Sequence, residues 1–196
     1  MINSDVDKSR RRFLTAAATV VGGAGTVAGA VPFIATMTPS AKAKAIGAPI
    51  EVDISKLQPG EFVIEKWQGK PIWILRRTQE MLDDITAQAD IVSDPVSDAS
   101  AQPEYAKNEY RARENEFLVV IGLCTHLGCS PKFIEKGLDG SLSAEKGGFF
   151  CPCHGSRFDF AGRVFKDVPA PTNLVVPPYQ FLSPSRLLIG DDSEVV

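Results

Sequence analysis

Two segments, CTHLGC at residues 124–129 and CPCHGS at residues 151–156, contain every cysteine and every histidine of the 196-residue chain. The first segment holds a C-x-H pattern and the second a C-x-x-H pattern. Two thiolates and two imidazoles form a ligand set that suits either tetrahedral zinc or a 2Fe-2S cluster with two histidine ligands. The candidate ligands are Cys124, His126, Cys151 and His154. The sequence therefore predicts two loops that hold a metal.

Two cysteines, Cys129 and Cys153, are not needed as ligands and lie one in each segment. The four cysteines could instead form two plain disulfides, for which three pairings are possible. Such bridges would require no histidine at a fixed offset. A structural zinc site would explain the four ligands but not the remaining cysteine pair. Measurement of iron distinguishes these alternatives from an iron-sulfur cluster.

The two segments resemble the signature loops of the Rieske iron-sulfur proteins, specifically the quinol-oxidising subunit of cytochrome bc complexes. Rieske ferredoxins and ring-hydroxylating dioxygenases share C-x-H and C-x-x-H but generally lack the extra cysteine pair. The resemblance implies one Rieske-type 2Fe-2S cluster as the cofactor. It further implies that Cys124 and Cys151 hold one iron and that His126 and His154 hold the other.

Other positions near the two segments also take roles from this resemblance. Cys129 is expected to form a disulfide with Cys153, and the Ser156 hydroxyl to donate to a bridging sulfide of the cluster. Two residues beyond that serine the family often has a tyrosine that donates to a ligand cysteine, whereas this chain has Phe158. Residues 168–174 read VPAPTNL and resemble the proline-rich loop that covers the cluster.

The resemblance implies the activity of a quinol–cytochrome c reductase, with this chain as a catalytic subunit of a multi-subunit translocating oxidoreductase. The cluster would take one electron and a proton from ubiquinol at His154 and deliver the electron to cytochrome c1 by domain movement. The implied partners are cytochrome b and cytochrome c1, in a complex that is dimeric. Leu127 would contact cytochrome b or, alternatively, pack under the proline loop.

Two other functions fit parts of the same pattern. The Rieske small subunit of an arsenite oxidase is also exported by the twin-arginine route, and it would have a molybdenum-containing partner. A membrane-tethered zinc-binding interaction module would need no electron donor. Iron with acid-labile sulfide excludes the zinc module, and co-purified hemes or molybdenum separate the two oxidoreductases.

The N-terminus carries an export signal followed by an apolar segment. Residues 9–14 read SRRRFL, which fits the S-R-R-x-F-L form of a twin-arginine signal. Residues 13–37 contain no charged side chain, and as a helix they would measure about 37 Å against a hydrocarbon core of about 30 Å. The basic residues before this segment favour a cytoplasmic N-terminus. We therefore expect residues 1–12 to be cytoplasmic and residues 13–37 to be a single transmembrane anchor in a bacterial inner membrane.

The next residues, 38–48, are small and polar with two lysines, and we interpret them as a hinge or tether. Residues 41–43 read Ala-Lys-Ala, so cleavage of a signal here is an alternative to a retained anchor. Residues 49–196 would form a periplasmic Rieske domain, with a cluster-binding subdomain at about residues 121–171.

Composition and pattern predict a mainly antiparallel β fold, a Rieske-type β-sandwich with a small cluster-binding subdomain, after one N-terminal transmembrane helix. With 44% hydrophobic and 23% charged residues, the chain suits one globular domain plus one membrane element. The net charge of -3, without a basic cluster beyond residues 8–12, argues against nucleic acid as a partner. Residues 78–115 are interpreted as an insertion between sheets that contains a helix at about 81–90. The predicted strands are residues 50–54, 61–67, 71–75, 117–123, 148–150, 179–182 and 186–189.

Overall fold

The computed structural model describes residues 7–137 and 146–193. The chain divides into two compact units, with the boundary between Ala45 and Ile46. The helices are α1 (Lys8–Thr36), α2 (Ala41–Gly47) and α3 (Gln79–Ala87), and 3-10 turns cover Ala89–Ile91 and Glu104–Ala106. The strands are β1 (Ile50–Asp53), β2 (Phe62–Trp67), β3 (Lys70–Arg76), β4 (Phe117–Ile121), β5 (Lys132–Ile134), β6 (Gly148–Phe150), β7 (Arg157–Phe158), β8 (Tyr179–Ser183) and β9 (Arg186–Ile189).

The first unit is dominated by α1, which contains almost all of the predicted transmembrane segment. The Asp7 side chain caps the helix by accepting hydrogen bonds from the N–H groups of Ser9 and Arg10 at 3.0 and 3.2 Å. None of the α1 side chains is buried in the protein. Within the described residues, the stretch Lys8–Gly47 contains the one helix that is long and apolar enough to cross a membrane. The predicted tether contains α2, a short helix of alternating alanine and lysine.

The second unit consists of three antiparallel sheets, with the orders β1-β9-β8, β2-β3-β4 and β5-β6-β7. The predicted mainly antiparallel β class is therefore confirmed. All five residues of β4 are buried, as expected for a continuous apolar run in the centre of a core. The third sheet lies within the predicted range of residues 121–171, and it carries the two cysteine-containing segments.

Several local predictions differ from the structure. The strand predicted at residues 117–123 ends at Ile121, because the chain turns there: the Leu123 N–H donates to the Ile121 carbonyl at 2.8 Å, which closes a three-residue turn. No strand is predicted at β5 or β7, which are too short to show an alternating pattern. The helix predicted at residues 81–90 is α3 followed by a 3-10 turn. The insertion between sheets is wrong, since residues 78–115 connect β3 to β4, two neighbours in one sheet.

Candidate metal centre

The two cysteine-containing segments form loops that the third sheet holds side by side. The first loop, residues 124–129, follows the buried strand β4 and leads toward β5. The second loop, residues 151–156, connects β6 directly to β7, which pair with each other in antiparallel fashion. Because β5 pairs with the other edge of β6, the two loops project from neighbouring strands at the same place in the sheet.

The two loops have the same backbone hydrogen-bonding pattern. In each loop the N–H of the first residue donates to the carbonyl of the sixth, and the N–H of the fifth donates to the carbonyl of the first. The N···O distances are 2.8 and 2.9 Å in the first loop and 2.8 and 3.0 Å in the second. The fifth residues, Gly128 and Gly155, both have φ of 78°. No atom would lie within 4 Å of a Cβ at either position, so glycine is needed for its left-handed conformation and not for space.

The loops direct the two thiols inward and the two imidazoles outward. Cys124 and Cys151 are free cysteines with only 3% and 2% exposure. His126 is half-buried and His154 is exposed. The two imidazole rings are perpendicular, with centroids 4.8 Å apart and an interplanar angle of 84°. The structure therefore places the two predicted histidine ligands beside each other and the two predicted cysteine ligands beside each other, with sulfur buried and nitrogen nearer the solvent.

A disulfide joins Cys129 in the first loop to Cys153 in the second. The predicted bridge is confirmed, and the alternative of two plain disulfides is wrong because Cys124 and Cys151 remain free. The sulfurs of Cys129, Cys151 and Cys153 lie within 4.8 Å of one another. Only Cys151 in that group can become a thiolate ligand, because the other two sulfurs are already bonded to each other.

The electrostatics of the free thiols fit a site that is completed by a metal. Burial raises the pKa of Cys124 above its ordinary value, whereas the His126 backbone N–H and the Ser156 hydroxyl lower it by stabilising the thiolate. Without metal the thiol is therefore protonated at neutral pH, and metal binding releases that proton. Two buried sulfurs and two adjacent ring nitrogens are a donor set that a 2Fe-2S cluster with two histidine ligands can use.

The predicted proline loop, residues 168–174, contacts both metal loops. The Thr125 hydroxyl donates to the Thr172 carbonyl at 2.6 Å. The Ala170 N–H donates to the Ser156 Oγ at 3.0 Å, and both residues are buried. The proline loop is therefore attached to the first loop at one point and to the second loop at another, as expected for a cover over the site.

Two further predicted positions have clear environments. Leu127 is 72% exposed, so the alternative that it packs under the proline loop is wrong. Phe158 is completely buried and belongs to the same apolar cluster as Cys124 and Cys151.

Sequence reasoning missed the contact that fixes the entrance to the first loop. A Cβ added to Gly122 would lie 2.1 Å from Cε2 of Trp73, so the indole packs flat against the backbone two residues before Cys124. The indole is buried and also stacks on Phe149 with ring centroids 5.1 Å apart. A glycine directly before the first ligand segment was the available signal, but its partner on β3 cannot be identified from spacing.

Two family descriptions match this chain. Residues 1–40 match "Ubiquitinol-cytochrome C reductase Fe-S subunit TAT signal". Residues 104–180 match the "Rieske 2Fe-2S domain". The second match contains both metal loops and the proline loop, and it establishes the 2Fe-2S cluster over zinc.

Curated relatives match along nearly the whole chain. The ubiquinol-cytochrome c reductase iron-sulfur subunit of Allochromatium vinosum is 54% identical over 95% of this chain and 91% of its own length. The subunit of the same name from Bradyrhizobium diazoefficiens is 44% identical over 93% of this chain and 94% of its own length. A solved structure named "Hyperthermophilic respiratory Complex III" includes a chain that is 22% identical, with a TM-score of 0.48 over 88% of this chain and 98% of that one. The chain belongs to the family of ubiquinol-cytochrome c reductase iron-sulfur subunits, and its Rieske domain carries a 2Fe-2S cluster.

Proposed function

We propose that this chain accepts one electron together with one proton from ubiquinol, as a catalytic subunit of a quinol–cytochrome c reductase. The observation that carries the proposal is the arrangement of the ligands, with buried thiols and imidazoles at the surface. The relatives described above are subunits of this enzyme, so we retain it in preference to an arsenite oxidase.

The four residues at the loop tips would hold the cluster in the manner that the family resemblance implies. Cys124 and Cys151 would bind one iron and His126 and His154 the other, and the Ser156 hydroxyl would donate to a cluster sulfur. When bound, the cluster supplies a one-electron acceptor whose potential is raised by the replacement of two thiolates with imidazoles.

His154 is the residue we expect to contact the quinol. It is the more exposed of the two imidazoles, so a substrate can reach its outer ring nitrogen without displacing protein atoms. That nitrogen can lose a proton when the iron is oxidised and accept one when the iron is reduced. One exposed ring can therefore receive the hydroquinone proton at the same place where the electron enters.

The electron would then pass to cytochrome c1 by movement of the cluster-bearing domain. The twin-arginine signal and the apolar helix α1 fit a membrane-anchored subunit. We propose a single-pass anchor in the inner membrane, with the domain on the periplasmic side in a dimeric complex with cytochrome b and cytochrome c1. Residues 38–48 would be the hinge, with α2 as a segment that can change length by folding and unfolding.

Electron paramagnetic resonance of purified membranes tests the quinol contact. We expect a quinol-site inhibitor to shift the spectrum of the reduced cluster, because a ligand on His154 changes the environment of one iron. A related compound that does not inhibit turnover is the control and should leave the spectrum unchanged. An inhibitor that blocks turnover completely without any spectral change would overturn the contact.

Substitutions in α2 test the hinge. Proline at both Lys42 and Lys44 prevents this helix from forming, and we expect slower turnover with an unchanged midpoint potential of the cluster. Glutamine at the same two positions is the matched control, since it removes the charges and keeps the helix propensity. Turnover of the proline variant at the rate of the glutamine variant would contradict domain movement about this segment.

A further inference from the structure

A buried polar network surrounds the C-terminal end of the proline loop. Its centre is Asn173, which is completely buried. The Asn173 Oδ1 accepts from the Val164 N–H at 2.8 Å, and its Nδ2 donates to the Asp94 carbonyl at 3.0 Å and to the Ser97 Oγ at 2.9 Å. The Asn173 backbone N–H donates to the Ser100 Oγ at 3.1 Å. The long connection between β3 and β4, residues 77–116, thus holds the end of the proline loop through the side chain of Asn173.

Arg111, which lies in the β3–β4 connection, contacts the segment that follows the second metal loop. The guanidinium is completely buried and donates to the Ser97 Oγ and to the Leu174 carbonyl. It also donates to the Ala161 and Gly162 carbonyls at 3.2 and 3.3 Å. Burial lowers the pKa of Arg111 to about 10, so it remains charged at neutral pH. One side chain therefore ties three segments together.

The opposite end of the proline loop touches the second metal loop at Ser156. Because the Ser156 Oγ accepts the Ala170 N–H at 3.0 Å, its own proton must be directed to a different acceptor. The stretch between Ala170 and Asn173 has little freedom. The Pro171 ring fixes φ, and the Thr172 carbonyl accepts from the Thr125 hydroxyl at 2.6 Å. A displacement of Asn173 is therefore passed on in part to Ala170.

We propose, on the basis of the cluster role given to Ser156 above, that Asn173 and Arg111 are positioning residues for the redox centre. They hold the proline loop in the position in which the Ala170 N–H donates to the Ser156 Oγ and so orients its hydroxyl. Without them the hydroxyl loses its fixed direction toward the cluster sulfurs, and the reduced state loses part of a hydrogen bond. The β3–β4 connection thereby affects the midpoint potential of the cluster without contacting the cluster.

A double-mutant cycle of midpoint potentials tests this coupling, with redox titration of the cluster signal in membranes. Ser156→Ala and Asn173→Leu are measured alone and together. We expect Ser156→Ala to lower the midpoint and Asn173→Leu to lower it by at least half as much. In the Ser156→Ala background, we expect the Asn173→Leu shift to fall to less than half of its value. Additive shifts, or an unchanged midpoint in Asn173→Leu, would overturn the proposal.

Further variants separate positioning from charge and from general stability. Arg111→Lys keeps the charge but loses the planar fork of donors, so positioning predicts a lowered midpoint, whereas an unchanged midpoint would show that only the charge acts. Leu187→Ala removes a completely buried side chain of β9 and should lower the unfolding temperature without moving the midpoint. If Asn173→Leu loses its cluster, Ser100→Ala removes one bond of the network and should give a smaller shift in the same direction. An unchanged midpoint in Ser156→Ala would refute the role of the serine itself.

Discussion

Phe158 offers the sharpest test of how the surroundings of the cluster set its potential. The ring is completely buried in β7, pairs across the sheet with Phe149, and belongs to the same apolar cluster as Cys124 and Cys151. The family that this chain resembles often has tyrosine here, with its hydroxyl donating to a ligand cysteine. We predict that Phe158→Tyr raises the midpoint potential, because the added donor stabilises the more negative, reduced cluster.

The magnitude follows from the burial of the position. A hydrogen bond to a charged group contributes about 1.5 to 3 kcal/mol, and for one electron about 59 mV corresponds to about 1.4 kcal/mol. Only the difference between the oxidised and reduced states changes the potential, so the full conversion is an upper bound. With Phe158 and the thiols shielded from water, we expect a rise between tens of millivolts and about 100 mV.

Redox titration of the cluster signal in purified membranes measures this shift. Phe117→Tyr is the matched control, because Phe117 is also buried but lies at the end of β4 away from the first metal loop. The control should leave the midpoint unchanged. A Phe158→Tyr variant with a full cluster and the parental midpoint would refute the reasoning. Loss of stability together with that result would show a hydroxyl that finds no acceptor.

Three other perturbations test the construction of the site. Gly122→Ala places a Cβ 2.1 Å from Cε2 of Trp73, and we expect less iron per chain and a lower unfolding temperature; a fully loaded variant of normal stability would contradict this packing. Replacing both cysteines of the disulfide, Cys129 and Cys153, with serine should lower the free energy of unfolding by about 2 to 5 kcal/mol and speed cluster loss. Equal rates of cluster loss in the variant and the parent would contradict a role of the disulfide in holding the two loops together. The buried Arg163 Nε lies 2.7 Å from the Asp159 Oδ2. Arg163→Met leaves this carboxylate buried without its cation, and it should lower the free energy of unfolding, measured with denaturant, by about 3 to 5 kcal/mol. Additional replacement of the aspartate with asparagine should restore part of that loss.

The metal loops could be predicted from the sequence because their chemistry is local. Within six residues the spacing of cysteine and histidine indicates the candidate ligands, and the structure buries Cys124 and Cys151 in two loops of the same conformation. The long strands could be predicted for a similar reason, since each carries its own alternating or continuous apolar pattern. In contrast, β5 and β7 exist only through pairing with β6, and a two-residue strand has no pattern of its own.

Buried polar residues were not predicted because their partners are distant in sequence. Arg111 and Asn173 lie in polar, loop-like stretches, which normally indicate exposure. Their burial depends on carbonyls and hydroxyls from segments that meet only in the folded chain, such as Ala161 and Ser97. The same holds for Arg77, whose guanidinium donates to the Asn115 carbonyl at 2.8 Å. Residue type predicts where a charge is costly, but only the fold shows what compensates that cost.

The two loops share one backbone conformation, yet they place different residues at equivalent positions, and this difference explains the site. The third position is a histidine in the first loop and a disulfide cysteine in the second, so the bridge runs from Cys129 at the end of one loop to Cys153 near the tip of the other. The sheet and the disulfide thereby hold together the two loops that carry the buried thiols. Under the proposed function, a centre held in this way would undergo little rearrangement on gaining an electron. In the proposed function the substrate would meet this centre at the exposed His154 ring, which lies outside the part of each loop that the sheet and the disulfide hold.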